Sequence, residues 1–144
     1  MALDALELTL LEMDRPIAYN STMENPIYVL VVDDDENIIA MFKRIFSRDP
    51  IFQMDSALRG YQAVALATKH NYDALICDID LPDMDGSEIV NELKLKKRLP
   101  PLVIYISGAV RSAPRSKTVG NTFFIRKPFN PAEIISILMA NRRQ

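Results

Sequence analysis

The sequence predicts an open α/β sheet of parallel strands with helices on both faces. Short apolar runs alternate with stretches of helical periodicity. The runs are continuous rather than alternating, as expected of strands buried on both faces. Acidic and hydroxyl residues collect just after several of these runs, where open α/β sheets carry their chemistry. The chain has 144 residues, 49% hydrophobic and 25% charged, which suits one globular domain and excludes disorder or a fibrous repeat.

The first 26 residues precede the sheet. Leu3, Leu6, Leu10 and Met13 share a face at helical spacing, so a short amphipathic helix is expected over Leu3–Asp14. Arg15-Pro16 should end it, and Tyr19–Pro26 reads as linker. The helix is expected to mediate assembly, such as a homodimer. The domain division is thus an extension over 1–26 and the sheet domain over 27–144.

Strands are expected at Ile27–Val32, Ile51–Ser56, Asp73–Asp78, Leu102–Ile106 and Thr122–Arg126. Ile38, Met41, Phe42, Ile45 and Phe46 give the first helix an apolar stripe. Ala63, Leu66 and Ala67 mark the second more weakly, and Ile89, Val90 and Leu93 mark the third. Residues 107–121 hold few large apolar groups and include Pro114, so the fourth helix is expected to be short or irregular. The last helix announces its start with Asn130 as N-cap, Pro131 at N1 and Glu133 at N3.

The net charge of −2 hides a split. Residues 1–93 carry 18 acids and 6 bases, whereas residues 94–144 carry 1 acid and 11 bases. Near-neutrality overall speaks against a generic nucleic-acid binder. The N-terminus lacks a basic region ahead of an apolar run, and no apolar stretch approaches the ~18 residues of a membrane helix. A cytoplasmic location with no membrane contact is expected, and the single Cys77 excludes a disulfide within one chain.

The strand ends concentrate carboxylates. The first strand runs into Asp33-Asp34-Asp35-Glu36 and the third ends on Asp78. Two carboxylates ~5 Å apart repel by roughly 3 kcal/mol at an effective dielectric near 20. A divalent cation would relieve that repulsion. With only oxygen ligands on offer, Mg²⁺ is the natural choice. Ser107 follows the fourth strand and Lys127 follows the fifth. A metal, an ammonium and a hydroxyl around one carboxylate suit a phosphoryl group taken up by that carboxylate. Asp35 is expected to cap the first helix, and Asp83 and Asp85 read as turn residues of a Pro-Gly loop.

These motifs resemble the receiver domain of two-component response regulators over about residues 27–142. They are Val31-Val32-Asp33-Asp34-Asp35, Ala57 to Ala63, Tyr72 to Gly86, Ser107-Gly108 and Lys127-Pro128-Phe129. The resemblance implies a flavodoxin-like fold with strand order 2-1-3-4-5. It implies Asp78 as phosphoacceptor, with Mg²⁺ held by Asp33, Asp34, Asp78 and the backbone carbonyl of Asp80. It implies that Ser107 and Lys127 contact the phosphoryl group, that Lys127-Pro128 is cis, and that Phe124 is the switch aromatic beside Ser107.

Two departures stand out: Gly108 replaces the usual Ala, and the 20-residue interval from Ser107 to Lys127 is short by about two. The implied partners are a histidine kinase or phosphotransfer protein and a downstream protein. Only 17 residues follow Lys127, so a stand-alone receiver forming an aspartyl phosphate is expected. It is no enzyme beyond promoting its own phosphorylation and dephosphorylation. The alternative is a receiver-fold interaction module that works without phosphorylation. The Asp78-Ile79-Asp80 run also matches the haloacid-dehalogenase phosphatases, but their motif follows the first strand.

Overall fold

Five apolar runs line up side by side because each hides its two faces under helices. A computed structural model describes residues 25–108 and 121–142. In chain order it contains β1 (Ile27–Val32), α1 (Glu36–Phe46), β2 (Phe52–Ala57), α2 (Gly60–Lys69) and β3 (Ala74–Asp78). There follow α3 (Gly86–Leu95), β4 (Leu102–Ser107), β5 (Thr122–Arg126) and α4 (Pro131–Ala140). The strands are all parallel in the order β2-β1-β3-β4-β5, as the resemblance implied. The expected helix over Leu3–Asp14 and the irregular fourth helix lie outside the described residues.

Side-chain alternation along each strand builds two cores, one per face. Val29, Val31, Ile76, Ile104 and Ile106 point to one side and meet Phe42 and Phe46 of α1 and Ile134 and Leu138 of α4. Leu30, Val32, Leu75, Cys77 and Val103 point to the other and meet Ala63 and Ala67 of α2 and Ile89 and Leu93 of α3. Every residue of β3 and β4 is buried, whereas the edge strands β2 and β5 are mostly half-buried.

Several boundaries shift by one residue. Asp49 accepts the Ile51 amide on its side chain and the Phe52 amide on its carbonyl, so Ile51 belongs to the turn and β2 starts at Phe52. β4 runs one residue further than expected, through Ser107, which pairs with Arg126. On α1 the buried residues are Ile39, Phe42 and Phe46, with Ile38, Met41 and Ile45 on the flanks. The stripe read from the sequence omitted Ile39, because apolar residues on both flanks obscure where the face is centred.

The helix starts are capped by carboxylates and an amide. Asp35 accepts the Asn37 amide at 2.8 Å and Asn130 accepts the Ala132 amide at 2.9 Å, as expected. Asp85 caps α3, accepting the Ser87 amide at 2.9 Å, while Glu88 returns to the Asp85 amide at 2.8 Å. Removing such a cap costs about 1 kcal/mol. Asp85→Ala is therefore expected to lower stability in urea unfolding by about 1 kcal/mol, with Asp85→Asn close to wild type. A loss below about 0.5 kcal/mol would contradict the cap's energetic role.

Candidate functional site

The carboxyl ends of β1 and β3 are neighbours, so the residues that follow them meet. The Asp33 amide donates to Ala57 O at 3.1 Å, which continues the ladder one residue past β1 and turns the side chain into the sheet end. Asp33 is fully buried, and its Oδ1 accepts the Asp35 amide at 2.9 Å. Asp78 closes β3 and is 5% exposed; its Oδ1 accepts the Asp80 amide at 2.9 Å. Asp34 is exposed beside them. One carboxylate oxygen from each of Asp33, Asp34 and Asp78 lies within 4.8 Å of the others.

Lys127 enters from the far side. Its amide donates to Ser107 O at 2.9 Å, which extends the β4–β5 ladder and sets where its side chain starts. Its Nζ lies 3.0 Å from Asp33 Oδ2 and 3.1 Å from Asp78 Oδ2. The contact with Asp78 is a hydrogen bond. That with Asp33 is a close ion pair without hydrogen-bond alignment, so the buried Oδ2 has no directed donor. The Lys127-Pro128 peptide is cis. Ser107 is fully buried, and its Oγ donates to Asp80 Oδ2 at 3.4 Å.

Burial sets the electrostatics. Desolvation raises the Asp33 pKa; the Asp35 amide and Lys127 oppose it, and the Asp78 charge adds to it. Burial works against the charge on Lys127, but attraction to Asp33 and then Asp78 outweighs it and holds the ammonium above its ordinary range. Burial, with Asp78 and Asp33 adding to it, pushes the Cys77 thiol up, so it stays protonated and is no nucleophile.

These atoms fit a small hard cation. Among the described residues the donors are all oxygen, their negative charge exceeds the positive charge of the Lys127 ammonium, and a buried carboxylate oxygen lacks a directed donor. Asp34 and Asp80 line an open groove beside the cluster. Gly86 lets the loop close behind it: a Cβ there would come within 2.9 Å of Asp78 O and 3.0 Å of Ile79 Cα.

Phe124 is half-buried and stacks on Tyr105, with ring centroids 5.1 Å apart and planes 13° from parallel. Burial pushes the Tyr105 phenol up to about 12. Sequence reading gave Tyr105 no role, since an aromatic inside an apolar strand looks like any core residue. It also treated Asp83 as a turn residue, whereas its carboxylate accepts amides from the start of α2.

A family model described as the response regulator receiver domain matches residues 29–139, which spans the whole site. The chain belongs to this family. This receiver is 30% identical over 107 residues to the transcriptional regulatory protein SrrA of Staphylococcus aureus. That match takes in 74% of the chain but only 44% of the relative, so the chain spans less than half the length of the curated relatives it matches.

Among solved structures it resembles the chemotaxis protein CheY4 of Vibrio cholerae, with 27% identity and a TM-score of 0.68 over 81% of this chain and 98% of that one. It also resembles the response regulator TrrA of Thermotoga maritima, solved in complex with Mg²⁺-BeF. The identity there is 26% and the TM-score 0.66, over 79% of this chain and 97% of that one. Among the described residues no helix is long and apolar enough to cross a membrane.

Proposed function

We propose that this receiver accepts a phosphoryl group on Asp78 from a histidine kinase or phosphotransfer protein and signals through a protein partner. The observation that carries this reading is Lys127 Nζ, 3.0 and 3.1 Å from two buried carboxylates at one strand end. Asp33, Asp34, Asp78 and the Asp80 carbonyl would hold Mg²⁺, which would supply charge neutralisation to the phosphoryl oxygens.

An Asp78 carboxylate oxygen attacks phosphorus, the bond from phosphorus to the donor's imidazole nitrogen breaks, and an acyl phosphate remains. Lys127 stabilises charge on the transferring group, and its raised pKa keeps it protonated throughout the neutral range. Ser107 exchanges its long bond to Asp80 for one to a phosphoryl oxygen. That movement frees space on the β4–β5 surface, where Phe124 rests on Tyr105, and biases it between two arrangements.

The test is intact mass after incubation with Mg²⁺ and a small-molecule phosphodonor. A gain of about 80 Da in the wild type and none in Asp78→Asn is expected, as a carboxamide cannot be the attacking group. No gain would leave a receiver-fold binding module that works without phosphorylation, and an equal gain in the variant would overturn Asp78 as the acceptor.

A further inference from the structure

Asp83 sits in the loop between β3 and α3 that also carries Asp80. Its side chain is exposed, yet both oxygens are engaged. Oδ1 accepts the Gly60 amide at 2.8 Å and Oδ2 accepts the Tyr61 amide at 3.0 Å. Gly60 and Tyr61 open α2, so the carboxylate satisfies donors that a helix start leaves unpaired, and it faces the positive end of the helix dipole. The side chain of Arg59, the residue before the helix, has no acceptor to offer, and its carbonyl takes the Ala63 amide. Gln62 turns back to the Leu58 and Arg59 amides at 3.1 and 3.2 Å, which leaves the Gly60 and Tyr61 amides to Asp83.

A second contact fastens the same loop. Met84 lies over Gly60, where a Cβ would collide with Met84 Cγ and come within 2.6 Å of its Sδ. The ends of the loop are tied locally, by the Asp80 amide on Asp78, by an antiparallel bridge between Asp80 and Asp85, by the Gly86 amide on Ile79 O at 2.8 Å, and by Asp85 on α3. Asp83 and Met84 tie its middle to a different part of the fold, 22 and 23 residues away in sequence for the two hydrogen bonds.

We propose that Asp83 is a positioning residue of the acidic site: by clasping the start of α2 it fixes the Asp80–Asp85 loop, and with it the Asp80 backbone. This inference rests on the magnesium-dependent phosphoacceptor role of Asp78 proposed above. Loss of the clasp leaves all three carboxylates in place and loosens only the carbonyl ligand. It therefore weakens cation binding without abolishing transfer.

The experiment titrates Mg²⁺ calorimetrically into the full chain without phosphodonor, in wild type, Asp83→Ala, Asp83→Asn and Gln62→Ala, with thermal unfolding alongside. Asp83→Ala is expected to weaken Mg²⁺ binding about tenfold, the scale seen when the support of a metal ligand is removed. Asp83→Asn keeps one acceptor oxygen and falls between; it carries the comparison if the alanine variant does not fold. Gln62→Ala loosens the same helix start from the helix's own side, so it lowers thermal stability and leaves Mg²⁺ affinity unchanged.

With acetyl phosphate, Asp83→Ala raises the half-saturating Mg²⁺ concentration and keeps the rate at saturation within about twofold, a loss of binding rather than chemistry. Equal Mg²⁺ affinity in wild type and the Asp83 variants, or an equal weakening by Gln62→Ala, overturns the inference while the phosphoacceptor reading stands. A wild type that binds no Mg²⁺ or gains no phosphoryl mass overturns both.

Discussion

Lys127→Met is expected to destabilise the metal-free protein by about 2–3 kcal/mol, because it leaves buried carboxylates without a countercharge. The figure sits below the usual range for a broken buried ion pair, since the Lys127 side chain is 23% exposed while that of Asp33 is fully buried. The methionine fills nearly the same volume, so the loss reports charge rather than packing. Urea unfolding in EDTA and in excess Mg²⁺ makes the measurement, and the cation should restore part of the loss. Because the Lys127 pKa is raised in the fold, its contribution is complete below the ordinary lysine range and fades only as pH climbs through the raised value. Stability in EDTA within about 0.5 kcal/mol of wild type would show that the ammonium is not what holds the carboxylates together.

Asp33→Asn is expected to act in the opposite direction without metal and to remove the benefit of metal. The folded chain holds the Asp33 proton more tightly than the unfolded chain, whose value is near 3.8. Ionising this group therefore takes stability away as pH rises from 3.8 through the raised folded value. Asparagine keeps an acceptor for the Asp35 amide and carries no charge, so the metal-free variant should be the more stable once pH exceeds the raised folded value. Mg²⁺ at a hundredfold excess over its Kd stabilises a single-site protein by about 2.7 kcal/mol, and the variant should lose most of that. Thermal melts across a Mg²⁺ series would check both halves. A variant that is less stable in EDTA, or that gains as much from Mg²⁺ as wild type, would contradict the reading of Asp33.

The order of the elements and the meeting of Asp33, Asp34, Asp78 and Lys127 were legible in the chain. Parallel strands buried on both faces leave unbroken apolar runs, and the residue after each run lands at a known end of the sheet. What escaped notice is non-local or chemically ambiguous. An aspartate in a Pro-Gly loop looks the same whether it serves its own turn or another element. Asp85 caps the helix it precedes, whereas Asp83 caps one that begins 23 residues earlier. Spacing carries no signal for the second case. The centre of the α1 face was blurred for a related reason: six apolar residues between Ile38 and Phe46 make a wide stripe, and only the packed sheet selects Ile39 as its middle.

The position of Lys127 also bears on how the molecule opens. Among the described residues β5 is an edge strand of five residues that pairs only with β4, the kind of element that ordinarily frays first. Lifting it away would carry Lys127 off with it and leave Asp33 and Asp78 facing each other unneutralised at the buried end of β1 and β3. Fraying therefore costs more than the ladder bonds of β5 alone. The same lysine proposed to meet a phosphoryl group acts as an electrostatic latch on the last strand of the sheet. A cation or a phosphoryl group that alters the charge around Asp78 then changes how firmly that latch holds.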